Sequence, residues 1–193
     1  MKLTEQTVAG LLAAFRSPDP TPGGGSAAAL AGAVGASLLT MVASLPKPKA
    51  GTDDEVARLR TAGERCRVSA ETLTALVDRD SEAYETVLAA YRLPKATDEE
   101  KAERGARIQH ALRLAIEAPL DVMRACSEGL DQGQVVAALG NPNASSDVQV
   151  GVELLRAGLR GARLNVDINL PSVKDAAYAE AVRIEAGRLA EGG

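Results

Sequence analysis

Residues 56–91 read VARLRTAGERCRVSAETLTALVDRDSEAYETVLAAY. Taken in steps of three and four, this stretch gives Val56, Leu59, Gly63, Cys66, Ala70, Leu73, Val77, Asp80, Tyr84, Val87 and Tyr91. Such spacing lays one stripe along one side of a long α-helix. Every member is apolar or small except Asp80. A carboxylate in a packed seam is costly unless it is paired or protonated. Burial pushes its pKa upward, towards the range that proton-transfer catalysis uses. Asp80 is therefore the first candidate for chemistry, against the alternative of a buried acid satisfied by an arginine or a helix end.

A helix of that length, about 1.5 Å per residue, needs a kink near Gly63 or a partner over one end. The 193 residues suffice for one domain with a real core. Hydrophobic residues make up 46% and charged residues 25%, a globular balance. A net charge of −4 argues against binding nucleic acid by phosphate neutralisation. Cys66 and Cys126 show no ligand spacing and read as reduced core residues of a cytoplasmic protein. His110 is the one histidine, two residues from Ile108 and so on the outward side of its helix; no metal site is expected. The start, MKLTEQTVAG, lacks the apolar core of a signal peptide. With aromatics at 2%, the core must come from Ala, Leu, Val and Gly, which favours close helix packing.

Outward from the central helix, residues 3–15 predict a first amphipathic helix. RSPDPTPGGGS (16–26) breaks it, with three prolines and three glycines. Ser26 to Leu45 then runs twenty residues without a charge. Seven alanines, two glycines, three serines and a threonine make it weakly lipophilic for a membrane span. It is read instead as a helix buried on all sides of a bundle, with Ala28, Gly32 and Ala36 as a small-residue ridge. PKPKAG (46–51) is a loop, and Asp53, Asp54 and Glu55 suit the N-terminus of the central helix. Beyond Pro94, Thr97 and Glu100 form a capping box. Pro119 is expected to start or kink a further helix ending by Gly140. Asn143 or Ser145 is expected to cap the next, and Pro171 or Ser172 to open the last. NVDINL (165–170) alternates like a strand but has no partner strand, so it is read as helix. Arg156, Arg160 and Arg163 share one face, a solvated surface or a seat for an anionic tail. The expected fold is all-α, a single-domain helical bundle with long helices over residues 1–193.

Two further places offer chemistry. In PTPGGGSAAAL, glycines admit close approach and a helix beginning at Ser26 presents free N–H groups, an anion or carbonyl site. Gly23, Gly25 and Ala28 fit G-x-G-x-x-A, but no strand precedes them, and no lysine follows as in a Walker loop. In GNPNASSD (140–147), Asn141, Asn143 and Asp147 can bind a ligand, although capping explains Ser145 and Asp147 as well. Tyr84 shares a face with Asp80. Lys95 stands just past that helix; pairing with Asp80 would lower the carboxyl pKa, against desolvation.

Five blocks in this order, PTPGGGSAAALAGAVGASL, RDSEAY, YRLPKAT, GNPNASSD and NVDINL, resemble the cyclodeaminase/cyclohydrolase family. Its members are the C-terminal domain of formiminotransferase-cyclodeaminase and stand-alone methenyltetrahydrofolate cyclohydrolases. The resemblance implies an all-helical homodimer that binds folate, with no cofactor beyond the tetrahydrofolate substrate. It puts the catalytic aspartate on Asp80, the glycine loop on Pro22, Gly23, Gly24, Gly25 and Ser26, and the lysine on Lys95. The asparagines fall on Asn141, Asn143, Asn165 and Asn169. Hydrolysis of 5,10-methenyltetrahydrofolate to 10-formyltetrahydrofolate is expected first, since no formiminotransferase domain accompanies these residues. Cyclodeamination of 5-formiminotetrahydrofolate is the alternative, and a folate-binding or scaffold bundle without activity is the rival of another class.

Overall fold

A computed structural model describes residues 2–49 and 51–192; Ala50, in the loop expected over 46–51, lies outside it, as do Met1 and Gly193. Among the described residues there are α-helices and 3-10 turns and no strand. The helices are α1 (Val8–Phe15), α2 (Gly24–Ser44), α3 (Asp53–Tyr91), α4 (Asp98–Leu139), α5 (Ser145–Asn169) and α6 (Ala176–Glu191). Helices α2, α3, α4 and α5 pack on one another around a single large core, and α6 lies against α4 and α5.

The 56–91 reading holds: α3 is one uninterrupted helix. Thr52 and Glu55 close a capping box ahead of it, and three acids occupy its first turn. Gly63 packs against Ala43 of α2 rather than breaking the helix. The seam is buried from Leu59 to Val77, but its ends emerge, with Val56 and Tyr91 each about half exposed. Asp80 sits where the stripe leaves the core.

Helix α2 crosses α5 at very close range, running antiparallel to it. A Cβ on Gly35 would lie 2.5 Å from the Gly151 carbonyl oxygen, so only glycine lets the backbones meet here. The ridge residues Ala28 and Gly32 meet a glycine of α5 as well: a Cβ on Gly158 would lie 2.8 Å from the Ala28 carbonyl oxygen and 3.1 Å from the Gly32 nitrogen. The expectation of burial on all sides needs correction. One side of α2 packs on α3, α4 and α5, while Ala27, Val34 and Met41 face outward uncovered in a single chain. The length and composition of α2 would also permit a membrane crossing, and about half of it is buried inside the fold.

Pro119 neither starts nor ends a helix, since α4 runs through it. Proline has no N–H for the carbonyl four residues back, a loss of about 3 kcal/mol in a helix interior. The orphaned oxygen is that of Ala115, and the Asn169 side chain donates to it from Nδ2 at 3.1 Å. A residue 54 positions away supplies what the helix lacks. Thr97 and Glu100 form the expected capping box at the start of α4.

The ends of several elements differ from expectation. The first helix is split into a 3-10 turn at Leu3–Glu5 and α1, because Asp78 accepts from the Leu3 N–H and the Thr4 hydroxyl and fixes that turn on α3. Asn141 caps a 3-10 turn at Pro142–Ala144 by accepting from the Asn143 N–H, and α5 starts at Ser145 with no side-chain cap. Pro171 and Ser172 lie in another 3-10 turn, and Asp175 caps α6. NVDINL is helical, as read: Asn165 to Asn169 end α5 and Leu170 opens the 3-10 turn that follows.

Candidate functional site

The proline–glycine block ends in α2, which begins two residues before Ser26, at Gly24. Its first turn meets α3 at Asp80. The Ser26 N–H, an orphan donor of the helix start, donates to Asp80 Oδ2 at 3.1 Å. The Ser26 hydroxyl donates to the Val77 carbonyl at 2.7 Å and lies 3.5 Å from the same Oδ2. Ser81 Oγ lies 3.4 Å from Ser26 Oγ. Ser26 is fully buried, while Asp80 is half-buried.

The approach depends on Gly25. A Cβ there would fall inside contact distance of the Asp80 carboxylate carbon and of both its oxygens, 2.8 Å from Oδ2. Gly25 is in ordinary helix, so what it supplies is space rather than an unusual φ. Gly24, one residue earlier, lies against Asn165 of α5, whose Nδ2 donates to the Gly161 carbonyl at 2.8 Å. Gly23 is the N-cap of α2, with no side chain to cover the exposed N–H groups, and the Thr21–Pro22 peptide is cis.

Burial pushes the Asp80 carboxyl above its ordinary range, opposed by the Ser26 N–H and then by the Ser26 hydroxyl. Among the described residues no cation contributes, and Lys95 is exposed past the end of α3. From Asp80 to Tyr91 alone, α3 rises about 16 Å.

Gly24, Gly25, Ser26, Asp80 and Asn165 therefore share one junction of α2, α3 and α5. Tyr84, a turn beyond Asp80, is 39% exposed at its rim. Asn141, Asn143 and Asp147 are not there. Asn141 donates from Nδ2 to the Pro46 carbonyl at 2.6 Å, beyond the C-terminus of α2. The length of α2 puts it, with Asn143 and Asp147, about 30 Å from Asp80. The Nδ2 donor of Asn169 is committed to Ala115 in the Pro119 repair. Ser81 was missed by the sequence reading; its position next to Asp80 was the available signal.

The rest of the surface is less suited to chemistry. A cavity of about 640 Å³ opens beside Thr4 of the first 3-10 turn, lined by Asp78, Arg79 and Glu82 but not by Asp80. Its Asp78 holds the Leu3–Glu5 turn and its Arg79 pairs with Asp121 at 2.8 Å. Arg156, Arg160 and Arg163 line a groove of about 310 Å³ with Leu159, Leu164 and Ala190. Arg156 and Arg163 are engaged with Glu153 and Asp167. His110 is exposed. Cys66 and Cys126 are buried free thiols, each pushed up to about 12 chiefly by burial, and so unreactive.

A half-buried carboxyl held on the N-terminal turn of a helix, beside a run of glycines, is where the first two family blocks meet. The family model described as formiminotransferase-cyclodeaminase matches residues 7–188. The chain belongs to the formiminotransferase-cyclodeaminase family. One relative in it, a methenyltetrahydrofolate cyclohydrolase of Methylorubrum extorquens, is 44% identical over 97% of this chain and 91% of its own length. A formimidoyltransferase-cyclodeaminase of Rattus norvegicus is 36% identical over 84% of this chain, which spans 30% of that longer protein. The family fold is seen in a crystal structure of formiminotetrahydrofolate cyclodeaminase from Thermotoga maritima. It superposes with a TM-score of 0.86 at 26% identity, covering 99% of this chain and 91% of that one. All of Asp80, the glycine block and the asparagines lie within the matched span.

Proposed function

We propose that this protein hydrolyses 5,10-methenyltetrahydrofolate to 10-formyltetrahydrofolate, with Asp80 as the acid–base group. The observation that carries the reading is the Asp80 carboxyl, raised by burial and held on the Ser26 N–H at 3.1 Å. The long, nearly full-length similarity to a cyclohydrolase supports the choice of reaction.

The chemistry follows from the substrate. Water adds through oxygen to the amidinium carbon between the two folate nitrogens, and Asp80 takes the proton that the water loses. The tetrahedral adduct then breaks its bond to the ring nitrogen. Asp80 returns the proton to that nitrogen, and the adduct hydroxyl loses its own as the formyl C=O forms, so one proton is released overall. A carboxyl in the ordinary range would be too weak a base to take the proton and too readily ionised to return it; burial brings it nearer to neutrality. Gly23, Gly24 and the free N–H groups of the first α2 turn are the proposed seat of the pterin, with Asn165 and Tyr84 at its edges. Lys95 is proposed to meet folate rather than Asp80. The reaction as written calls on no cofactor beyond the folate.

Cyclodeamination of 5-formiminotetrahydrofolate is the second reading, favoured by the Thermotoga similarity. It passes through a tetrahedral carbon on the same two nitrogens, with ammonia leaving. Mixing the purified protein separately with each folate distinguishes them. We expect the methenyl chromophore to decay faster than in buffer alone. Appearance of that chromophore from the formimino substrate, with ammonia, would transfer the assignment to cyclodeamination. No change in either mixture would leave a non-catalytic folate binder.

We further propose a cytoplasmic homodimer paired through the outer faces of α2 and α5. Val34 and Met41 on α2 and Leu164 and Ile168 on α5 are exposed, the last two at 70% and 75%. No charge interrupts α2. A second copy related by a two-fold axis would cover this face, and it would also bring its own Asn141, Asn143 and Asp147 towards the Asp80 junction. Light scattering should give twice 19.9 kDa for the native chain and a monomer for Val34→Glu. A native monomer, or partition of the native protein into detergent micelles, would contradict the proposal.

A further inference from the structure

The Ser26 side chain is fully buried, closed off from any substrate, yet three polar groups surround its hydroxyl. Val77 O is 2.7 Å away, Ser81 Oγ 3.4 Å and Asp80 Oδ2 3.5 Å. A hydroxyl has one hydrogen and two lone pairs. With the hydrogen on Val77 O, Ser26 Oγ turns a lone pair towards Asp80 Oδ2. That arrangement suits a protonated Asp80, which can donate to it. It does not suit an ionised Asp80, which needs donors. Rotation about the Cβ–Oγ bond moves the hydrogen from Val77 O to Oδ2 and reverses the preference. Val77 O can lose this donor because helix carbonyls already accept within α3. Ser81 donates to Ser26 Oγ in either position, since the Ser26 hydrogen is used elsewhere.

We infer that the Ser26 hydroxyl is a two-position donor that keeps the Asp80 carboxyl hydrogen-bonded in both protonation states and thereby sets its readiness to exchange a proton. The role is one of positioning, since Ser26 acts through Asp80 and is not itself open to substrate. It rests on Asp80 being the acid–base group proposed above. No bond is made or broken at Ser26, and the only atom that moves there is its own hydrogen.

Other charges do not substitute for this device. Helix α2 carries none. On α3, Asp78 holds Leu3 and Thr4, and Arg79 pairs with Asp121; Glu82 and Tyr84 are exposed. On α4, Glu117 accepts from Tyr178 and pairs with Arg124. On α5, Arg163 and Asp167 pair with each other. Burial, the Ser26 N–H and the Ser26 hydroxyl remain as the influences on the carboxyl.

The test is a carboxyl 13C NMR titration of the unliganded protein, with Asp80→Asn used to assign the resonance. Ser26→Ala removes a charge-assisted hydrogen bond from the ionised form and a neutral one from the protonated form. The first is the stronger, so the Asp80 midpoint should move upward by about half to one pH unit. Ser26→Cys, close in size but a poor donor, should move it the same way. Ser81→Ala, which disturbs packing least, should give a smaller upward step. The acid limb of kcat/KM should follow each shift while KM stays put, which loss of packing alone would not produce. Unmoved midpoints in the folded variants would overturn the inference. A shifted midpoint in a protein that turns over neither folate would support the hydroxyl's control of Asp80 and overturn its catalytic use.

Discussion

Asp80→Asn is expected to lower kcat by about 10²–10⁴-fold, the contribution of a positioned acid–base group, with little change in KM. The amide can still accept from the Ser26 N–H through its oxygen, so the junction of α2 and α3 keeps its shape. What it cannot do is take a proton from water and return it. The same substitution should not destabilise the fold near neutrality. Burial raises the folded-state pKa of Asp80 above its unfolded value. A group shifted that way contributes stability that is full below the unfolded pKa and lost as pH rises through the folded pKa. Native Asp80 is thus least favourable to folding when ionised, and an amide carries no such cost. The Tm of Asp80→Asn should equal or exceed the native value at pH 7, and its relative advantage should shrink as pH falls through that window. Thermal melts across pH beside steady-state kinetics check both parts. A variant that loses activity only because it melts early would contradict the assignment.

Gly25→Ala should be nearly as damaging, for a steric reason. The added methyl would overlap the Asp80 carboxylate, so either the carboxylate swings off the Ser26 N–H or α2 moves away from α3. A displacement of about 1 Å at a reacting group costs on the order of 10²-fold in rate. Overpacking costs about 1–3 kcal/mol, more than the ~1 kcal/mol that alanine gains over glycine in a helix, so Tm should fall by several degrees. Truncating the other partner tests the cause. Gly25→Ala combined with Asp80→Ala removes the overlap, and the double variant should be more stable than the sum of the single effects predicts. Additive effects would show that the methyl is accommodated elsewhere and that Gly25 is not what lets the carboxylate in.

Asp80 was legible because it is the one acid in an unbroken three-four apolar stripe, and because periodicity survives folding when a helix is long. The proline–glycine block was legible as a helix start beside open backbone. What the stripe did not reveal was depth: Tyr84 and Tyr91 keep the spacing of Leu73 and Val77 yet stand exposed, since a period records direction and not cover. The continuity of α4 was hidden for a different reason. Local rules correctly mark Pro119 as a break, and its remedy comes from Asn169, far along the chain and brought near only by tertiary packing. Asn169 and Asn165 looked alike in NVDINL, but one repairs a helix and the other borders Gly24. Asn141 and Asn143 looked like further members of one site, whereas chain order says nothing of distance, and the length of α2 separates them from Asp80. The uncharged run of α2 marked it as a core helix, but composition alone did not reveal that Val34 and Met41 on one side stay uncovered in a single chain.

A crystal structure of the protein with 5-formyltetrahydrofolate, a stable folate bearing one carbon on the ring nitrogen, tests the central claim most directly. The account predicts the pterin at the junction of α2, α3 and α5, with the one-carbon unit and its ring nitrogen within hydrogen-bond reach of the Asp80 carboxyl, about 2.6–3.2 Å. Folate bound in the Arg156–Arg163 groove or beside Asp78, with Asp80 bare of ligand, would contradict it.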